Sequence, residues 1–183
     1  MPAISRTARA CALALAGLGV TASTMTALPA PATAASSDAS GTTQSSARKP
    51  SAQQRAEKRV SRRVIGAKDV AMRQRGDAYA YGAAGPGAFD CSGLVFYSYR
   101  RAGFHVPRTS GAQAGFTRRI AKKDMRSGDL MFFYGSGGVY HAAIFLKWSH
   151  GHAVMVHAPG SGQRVRVAVP WTSQWFGGTL RRR

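Results

Sequence analysis

Acidic side chains are scarce in this 183-residue chain: seven Asp and Glu face 26 Lys and Arg, for a formal net charge of +19. A surface so short of carboxylates is suited to meeting polyanions, whether nucleic acid, anionic lipid or wall polymer, and the charge alone does not choose among them. Cysteine is scarcer still, with only Cys11 and Cys91. Long apolar runs are missing as well. The best stretch, residues 11–20, is too short for a membrane span and has no stop-transfer flank. The length suits one ordinary domain rather than two, and no tandem repeat is visible.

What is present at the start reads as an address. Arg6 and Arg9 form a positive opening, residues 11–20 the apolar centre, and Ala32-Thr33-Ala34 a small-x-small cleavage pattern. Residues 1–34 are therefore expected to be a Sec-type signal peptide, which makes the protein secreted and wall-associated. Cleavage after Ala34 removes Cys11, so Cys91 becomes the only thiol. An internal disulfide is then excluded, leaving a reactive thiol, an intermolecular bridge or an inert buried residue.

Between residues 35 and 59 there is no aliphatic side chain larger than Ala and no aromatic. Such a segment cannot offset its ordering entropy by burial, and it is expected to be a disordered basic and Ser-rich tether preceding a domain over 60–183. From about Ser51 the chain also turns helix-prone. Val60, Val64, Ala67 and Ala71 make one stripe of an amphipathic helix, with Arg and Lys over much of the rest and Gly76 as its stop. Residues 91–102, apolar around most of their circumference and followed by Gly103, predict a buried helix. A helical turn is expected over 109–114 and strands over 130–134, 139–148 and 152–158. The last two form a hairpin around Ser149-His150-Gly151. Val165, Val167 and Val169 alternate with Arg164 and Arg166 as a half-buried strand over 163–169. Helices ahead of an antiparallel sheet indicate an α+β domain.

Cys91 lies where a Gly- and Pro-rich loop gives way to the buried helix, within Phe89-Asp90-Cys91-Ser92-Gly93. Free N–H groups and the positive end of the dipole at a helix N-terminus favour a thiolate there, and can also receive an oxyanion. A packing cysteine would not require polar neighbours such as Asp90 and Ser92. A thiol nucleophile needs a base, and His141 opens the apolar strand His141-Ala142-Ala143-Ile144. A histidine there is either a satisfied core residue or a positioned base, and the lone thiol favours the base. His157, on the partner strand, can orient it. The two side chains share a face if the hairpin has an odd loop or a bulge, and oppose each other if it has a plain two-residue loop.

Taken together, the stretch from Gly76 to Gly82, then Phe89-Asp90-Cys91-Ser92-Gly93-Leu94, Val106-Pro107-Arg108-Thr109-Ser110, Ser127-Gly128-Asp129-Leu130, His141-Ala142-Ala143-Ile144 and His157-Ala158-Pro159 resemble the NlpC-type cell-wall peptidases. These are papain-like cysteine enzymes of bacteria. The resemblance implies Cys91 as nucleophile, His141 as general base and His157 as the third polar residue. It also implies Tyr79 near the thiol, assisting oxyanion or substrate, and Asp90, Ser92 and Arg108 lining the site for the stem peptide. The implied reaction is hydrolysis of peptidoglycan stems, typically at the γ-D-glutamyl to diaminopimelate bond, with no metal or organic cofactor. Ala143 departs from the family's usual Gly, Ser127 from a common Pro, and the hairpin is a few residues longer than usual.

Two other functions stand beside this one. Cell-wall amidase or acyl-transfer chemistry would use the same groups. A non-catalytic polyanion-binding wall protein would need neither Cys91 nor His141 and would interleave aromatics with its basic residues, which the run from Arg48 to Arg75 does not do. The expected partners are stem peptides and, through that basic run, anionic wall polymers. No nucleic acid is expected, and the protein is expected to be a monomer.

Overall fold

The computed structural model describes residues 49–181. The expected signal peptide, over 1–34, and most of the expected tether lie outside the described residues. The first helix, α1 (Ala52–Arg73), starts earlier than the proposed domain boundary. Ser51 is its N-cap: the Ser51 hydroxyl accepts from the Gln54 N–H, and the Gln54 side chain accepts from the Ser51 N–H. This reciprocal box satisfies two amides that the first turn would otherwise leave free. Residues 52–59, expected to be tether, are therefore helical. A lack of large apolar residues removes burial but not helix propensity, and Ala, Gln, Glu, Lys and Arg are good helix formers. The later turns bury Val64, Ala67 and Ala71.

A short parallel pair, β1 (Ala78–Tyr79) and β2 (Ala88–Phe89), leads into α2 (Cys91–Arg101), which ends on Ala102 with Gly103 at φ +81°. That left-handed position is why glycine closes the helix. The expected turn over 109–114 is α3 (Ser110–Phe116), capped by the Thr109 hydroxyl. The rest is strand: β3 (Arg118–Ile120), β4 (Leu130–Gly135), β5 (Gly138–Ser149), β6 (His152–His157), β7 (Arg166–Ala168) and β8 (Trp175–Thr179). These six form one antiparallel sheet in the order β3-β8-β4-β5-β6-β7.

Period-two alternation divides the sheet between two cores. Leu130, Phe132, Ala142, Ile144 and Val156 pack with Leu94, Val95 and Tyr99 of α2 and Ala67 and Ala71 of α1. Met131, Phe133, Ala143, Phe145 and Met155 form the second cluster with Met125 and Trp175. Each fully buried Phe or Leu here contributes about 1.5–3 kcal/mol of transfer free energy.

Several strands depart from expectation: β1, β2 and β3 are short and lie outside the expected strands. β7 is shorter than the run over 163–169. Val165 is buried, but Val167 and Val169 are exposed, because β7 is the outermost strand at its edge of the sheet. β8 has no counterpart among the expected strands, since Gly177-Gly178 reads as a break. Close approach favours glycine at both positions, most strongly at Gly178, which also abuts the Phe132 ring. A Cβ at Gly178 would lie 2.3 Å from Thr117 Oγ1, and one at Gly177 would lie 2.9 Å from Met125 Sδ.

Beyond β8, Arg181 donates to the buried Asp129 carboxylate and to the Ser127 carbonyl, and Thr179 Oγ1 donates to Asp129. Removing one partner of such a buried pair costs about 3–5 kcal/mol. This network and the Tyr99 hydroxyl, which donates to the Gly128 carbonyl, fasten the Ser127-Gly128-Asp129 turn at the head of β4. The motif residue Asp129 is thus a structural anchor.

Candidate active site

Cys91 is the first residue of α2, and Asp90 before it is the N-cap. Asp90 Oδ1 accepts from the Gly93 N–H at 2.6 Å and Oδ2 accepts from the Gly82 N–H at 2.9 Å. Arg108 closes the carboxylate from outside, donating to Oδ1 at 3.0 Å and Oδ2 at 2.6 Å, and also to Ser92 Oγ and the Ala83 carbonyl. Burial pushes the Asp90 carboxyl up, but the Arg108 and amide hydrogen bonds outweigh it and hold it below the usual range. Gly93 admits no side chain, since its Cβ would meet the Ala83 carbonyl oxygen at 2.0 Å. The loop over 82–90 is therefore clamped to the first turn of α2.

With the Gly93 amide taken by Asp90 Oδ1 and the Leu94 amide by the Asp90 carbonyl, the N–H groups of Cys91 and Ser92 are the free ones of this turn. They bear on the Cys91 sulfur together with the Ala142 N–H, and all three favour its thiolate. The thiolate expected from the helix N-terminus is nonetheless not the resting form. Burial, followed by the Asp90 carboxylate, outweighs the amides and raises the thiol above its ordinary value. The same helix start that supplies the amides also places a carboxylate beside the sulfur.

The Ala142 amide follows His141 in β5, so the thiol lies against the strand that carries the proposed base. His141 Nε2 is 3.0 Å from His157 Nδ1, and both rings are buried. The hairpin geometry explains this. The loop is a plain two-residue one, with Ser149 opposite His152, which alone would set the rings on opposite faces. A register shift between Phe145 and Lys147 inserts the compensating residue and returns them to one face. His150, at φ +49°, and Gly151, at φ +77°, make the tight turn.

For His141 to act as base, its free nitrogen must be Nδ1, so Nε2 carries the proton and donates to His157 Nδ1. The His157 proton then sits on Nε2, which has no hydrogen-bond partner among the described residues. Burial, then the neighbouring His157, lowers His141 to about 3, with Asp90 opposing. Burial, then Arg166, lowers His157 to about 4. Burial thus favours the neutral form of the thiol and of both imidazoles.

Trp171 covers the histidines, and the sequence reading missed it. Its ring stacks on Phe133 at 4.4 Å and 7°, meets the His141 ring at 5.1 Å edge-on, and lies 5.7 Å from the His157 ring at 24°. Only Pro170-Trp171, an aromatic in a loop between two strands, hinted at it.

The cleft beside the thiol has a volume of about 440 Å³ and is lined by Tyr79, Asp90, Cys91, Ser92 and Arg108, with Tyr81 and Tyr140 exposed at its rim. All the proposed substrate-side residues thus share one cleft. Tyr79 is raised first by burial and next by Cys91, which puts its hydroxyl in the field of the thiol. His141 and His157 do not line this cleft; they lie beneath Trp171. His105, His150 and His152 are exposed. No cluster of side chains able to hold a metal ion occurs among the described residues.

Comparison with known proteins identifies the family. The family model described as the NlpC/P60 family matches residues 76–182. A probable endopeptidase p60 of Listeria monocytogenes is 40% identical over 92 residues, which are 50% of this chain and 18% of that protein. A probable endopeptidase of Corynebacterium glutamicum is 41% identical over 93 residues, 51% of this chain and 42% of that protein. The chain thus spans less than half the length of these curated relatives. Among solved structures, the peptidoglycan hydrolase RipB of Mycobacterium tuberculosis is 28% identical with a TM-score of 0.58, over 69% of this chain and 68% of that one. The NlpC/p60 domain of the peptidoglycan hydrolase SagA is 28% identical with a TM-score of 0.57, over 64% of this chain and 98% of that one. The matched span covers more than half of the sequence and holds Cys91, His141 and His157, and the chain belongs to the NlpC/P60 family of cysteine peptidases.

Proposed function

We propose that this protein is a secreted peptidoglycan endopeptidase that cuts stem peptides at the γ-D-glutamyl to diaminopimelate bond. The observation that carries the reading is a thiol at a helix start with two free amides, lying against the Ala142 amide of the strand whose His141 is engaged through Nε2 by His157. As the Cys91 sulfur attacks the scissile carbonyl carbon, its proton passes to His141 Nδ1. The Cys91 and Ser92 N–H groups receive the developing oxyanion. Collapse expels the amine, which takes the proton back from His141 and leaves a thioester. Water, deprotonated by His141, then attacks the thioester and releases the D-glutamyl carboxylate and the thiol.

His157 stays neutral throughout and fixes the tautomer and ring of His141. The Asp90–Arg108 clamp holds the loop that walls the cleft. The exposed first turns of α1, carrying Arg55, Lys58 and Arg59, support association with anionic wall polymers. Incubating residues 35–183 with purified peptidoglycan tests the reading. Mass spectrometry should find new free amines on diaminopimelate and new carboxyl termini on D-glutamate, and neither with the Cys91→Ala protein. New termini at another amide would move the cleavage site, and none at all would overturn the assignment.

A further inference from the structure

All three tryptophans of the chain line one cleft. Trp148 of β5, Trp171 of the loop before β8 and Trp175 of β8 surround a volume of about 470 Å³ with His152 and Ser173 at its edge. Trp175 is nearly buried, but Trp148 and Trp171 are 41% and 54% exposed. Leaving large indole faces in water is unfavourable unless something covers them, and such faces on a concave surface mark binding sites. Trp148 and Trp175 lie 6.4 Å apart with their planes tilted by 35°, which leaves room beside both rings rather than a closed stack.

The charge of the lining narrows the ligand. In a chain of +19, this cleft contains no Arg, Asp or Glu. Its one charged residue, Lys122, is already engaged, with Nζ 4.1 Å over the Trp175 ring and donating to the Ser173 carbonyl at 2.8 Å. Flat apolar faces with uncharged hydrogen-bonding groups at the edge suit a molecule with an apolar face and a polar rim. A pyranose ring, with C–H bonds on its face and hydroxyls around its edge, has that form.

Trp171 is also the residue in contact with His141 and His157, so the cleft adjoins the active site through one side chain. We propose that the tryptophan cleft is a subsite for neutral N-acetylated sugar rings of the wall glycan, holding the strand while its stem peptide enters the cleft at Cys91. This deepens the proposed hydrolase function and rests on it for the identity of the substrate, though not for the sugar binding itself.

The test uses tetra-N-acetylchitotetraose, a neutral N-acetylglucosamine tetramer with no stem peptide to cut. Added to the wild-type protein, it should change tryptophan fluorescence saturably. Trp148→Ala should weaken that binding about tenfold, as truncation of a central aromatic contact does, with the far-UV circular dichroism unchanged. Trp148→Phe should recover part of it. On substrates, Trp148→Ala should slow cleavage of glycan-attached stems and leave turnover of a free stem peptide as before. No saturable response, equal binding by Trp148→Ala, or capture of N-acetylphenylalanine amide in place of the sugar would overturn the proposal. Sugar binding without any wall cleavage would count against the hydrolase reading alone, and cleavage without sugar binding against the subsite alone.

Discussion

The thiol side and the histidine side of this active site are held in opposite ways. Around Cys91 the charged side chains are saturated: Asp90 accepts from two amides and from Arg108, and Arg108 is spent on Asp90, Ser92 and a carbonyl. Around His141, among the described residues, a single polar contact, to His157, sits among aromatic rings, and one nitrogen of His157 has no partner. The proposed nucleophile, at a fixed helix start, is positioned by hydrogen bonds that can be satisfied locally. The proposed base, which would change protonation during the reaction, is positioned by packing, which restrains the ring and favours its neutral form.

The largest effect should come from the base. His141→Ala should lower turnover by a factor on the order of 10³ to 10⁴, whereas His157→Ala should retain at least about tenfold more activity than His141→Ala, because water can partly replace an orienting group. Comparing kcat for the two folded variants checks this; equal loss would place His157 in the proton transfer itself.

Next, the saturated side should fail through stability. Asp90→Asn removes the charge that Arg108 pairs and weakens the cap, and should lower Tm at pH 7. The folded-state pKa of Asp90 is depressed, so its contribution is full above the unfolded value of 3.8 and is lost as pH falls through the lower folded value. The Tm difference between wild type and Asp90→Asn should therefore shrink below pH 3.8. A difference that stays constant there would remove the charge from the explanation.

The packed side should fail through pH. Trp171→Ala admits water to the histidines, whose values of about 3 and 4 are set mainly by burial. Both should move up toward 6.5, drawing the acid limb of the rate profile upward, and Trp171→Phe should restore most of the shift. NMR titration of the ring protons reads this directly, and unmoved values in Trp171→Ala would contradict the packing account.

The smallest effect on chemistry should come from outside both sides. Reversing Arg55, Lys58 and Arg59 to Glu should weaken sedimentation with whole walls, most strongly at low salt, because at physiological ionic strength charges are screened beyond about 8–10 Å. Turnover of a soluble stem peptide should not change, and a parallel fall would place the basic helix in the catalytic cleft.

The same contrast explains what was legible in the sequence. The thiol side is local: Asp90, Cys91, Ser92 and Gly93 form one helix start, and a cap, its helix and the terminal Gly103 can be read from spacing. The histidine pairing was legible only as a condition, because a bulge between Phe145 and Lys147 decides the face and no residue there announces one. Trp171 was barely legible, and β8 was not. The role of Trp171 arises from strands far apart in the chain, and Gly177-Gly178 looks like a break until Thr117 and Met125 are packed against it. The thiol's raised pKa escaped for a related reason. The helix amides are visible in sequence, whereas burial is a property of the assembled fold.

The central claim is that one sulfur does the chemistry, and Cys91→Ala tests it most directly. Turnover of a soluble γ-D-glutamyl-diaminopimelate stem peptide should vanish in this variant while its far-UV spectrum and its sedimentation with walls match the wild type. A folded Cys91→Ala protein that still cleaves the peptide would contradict the account.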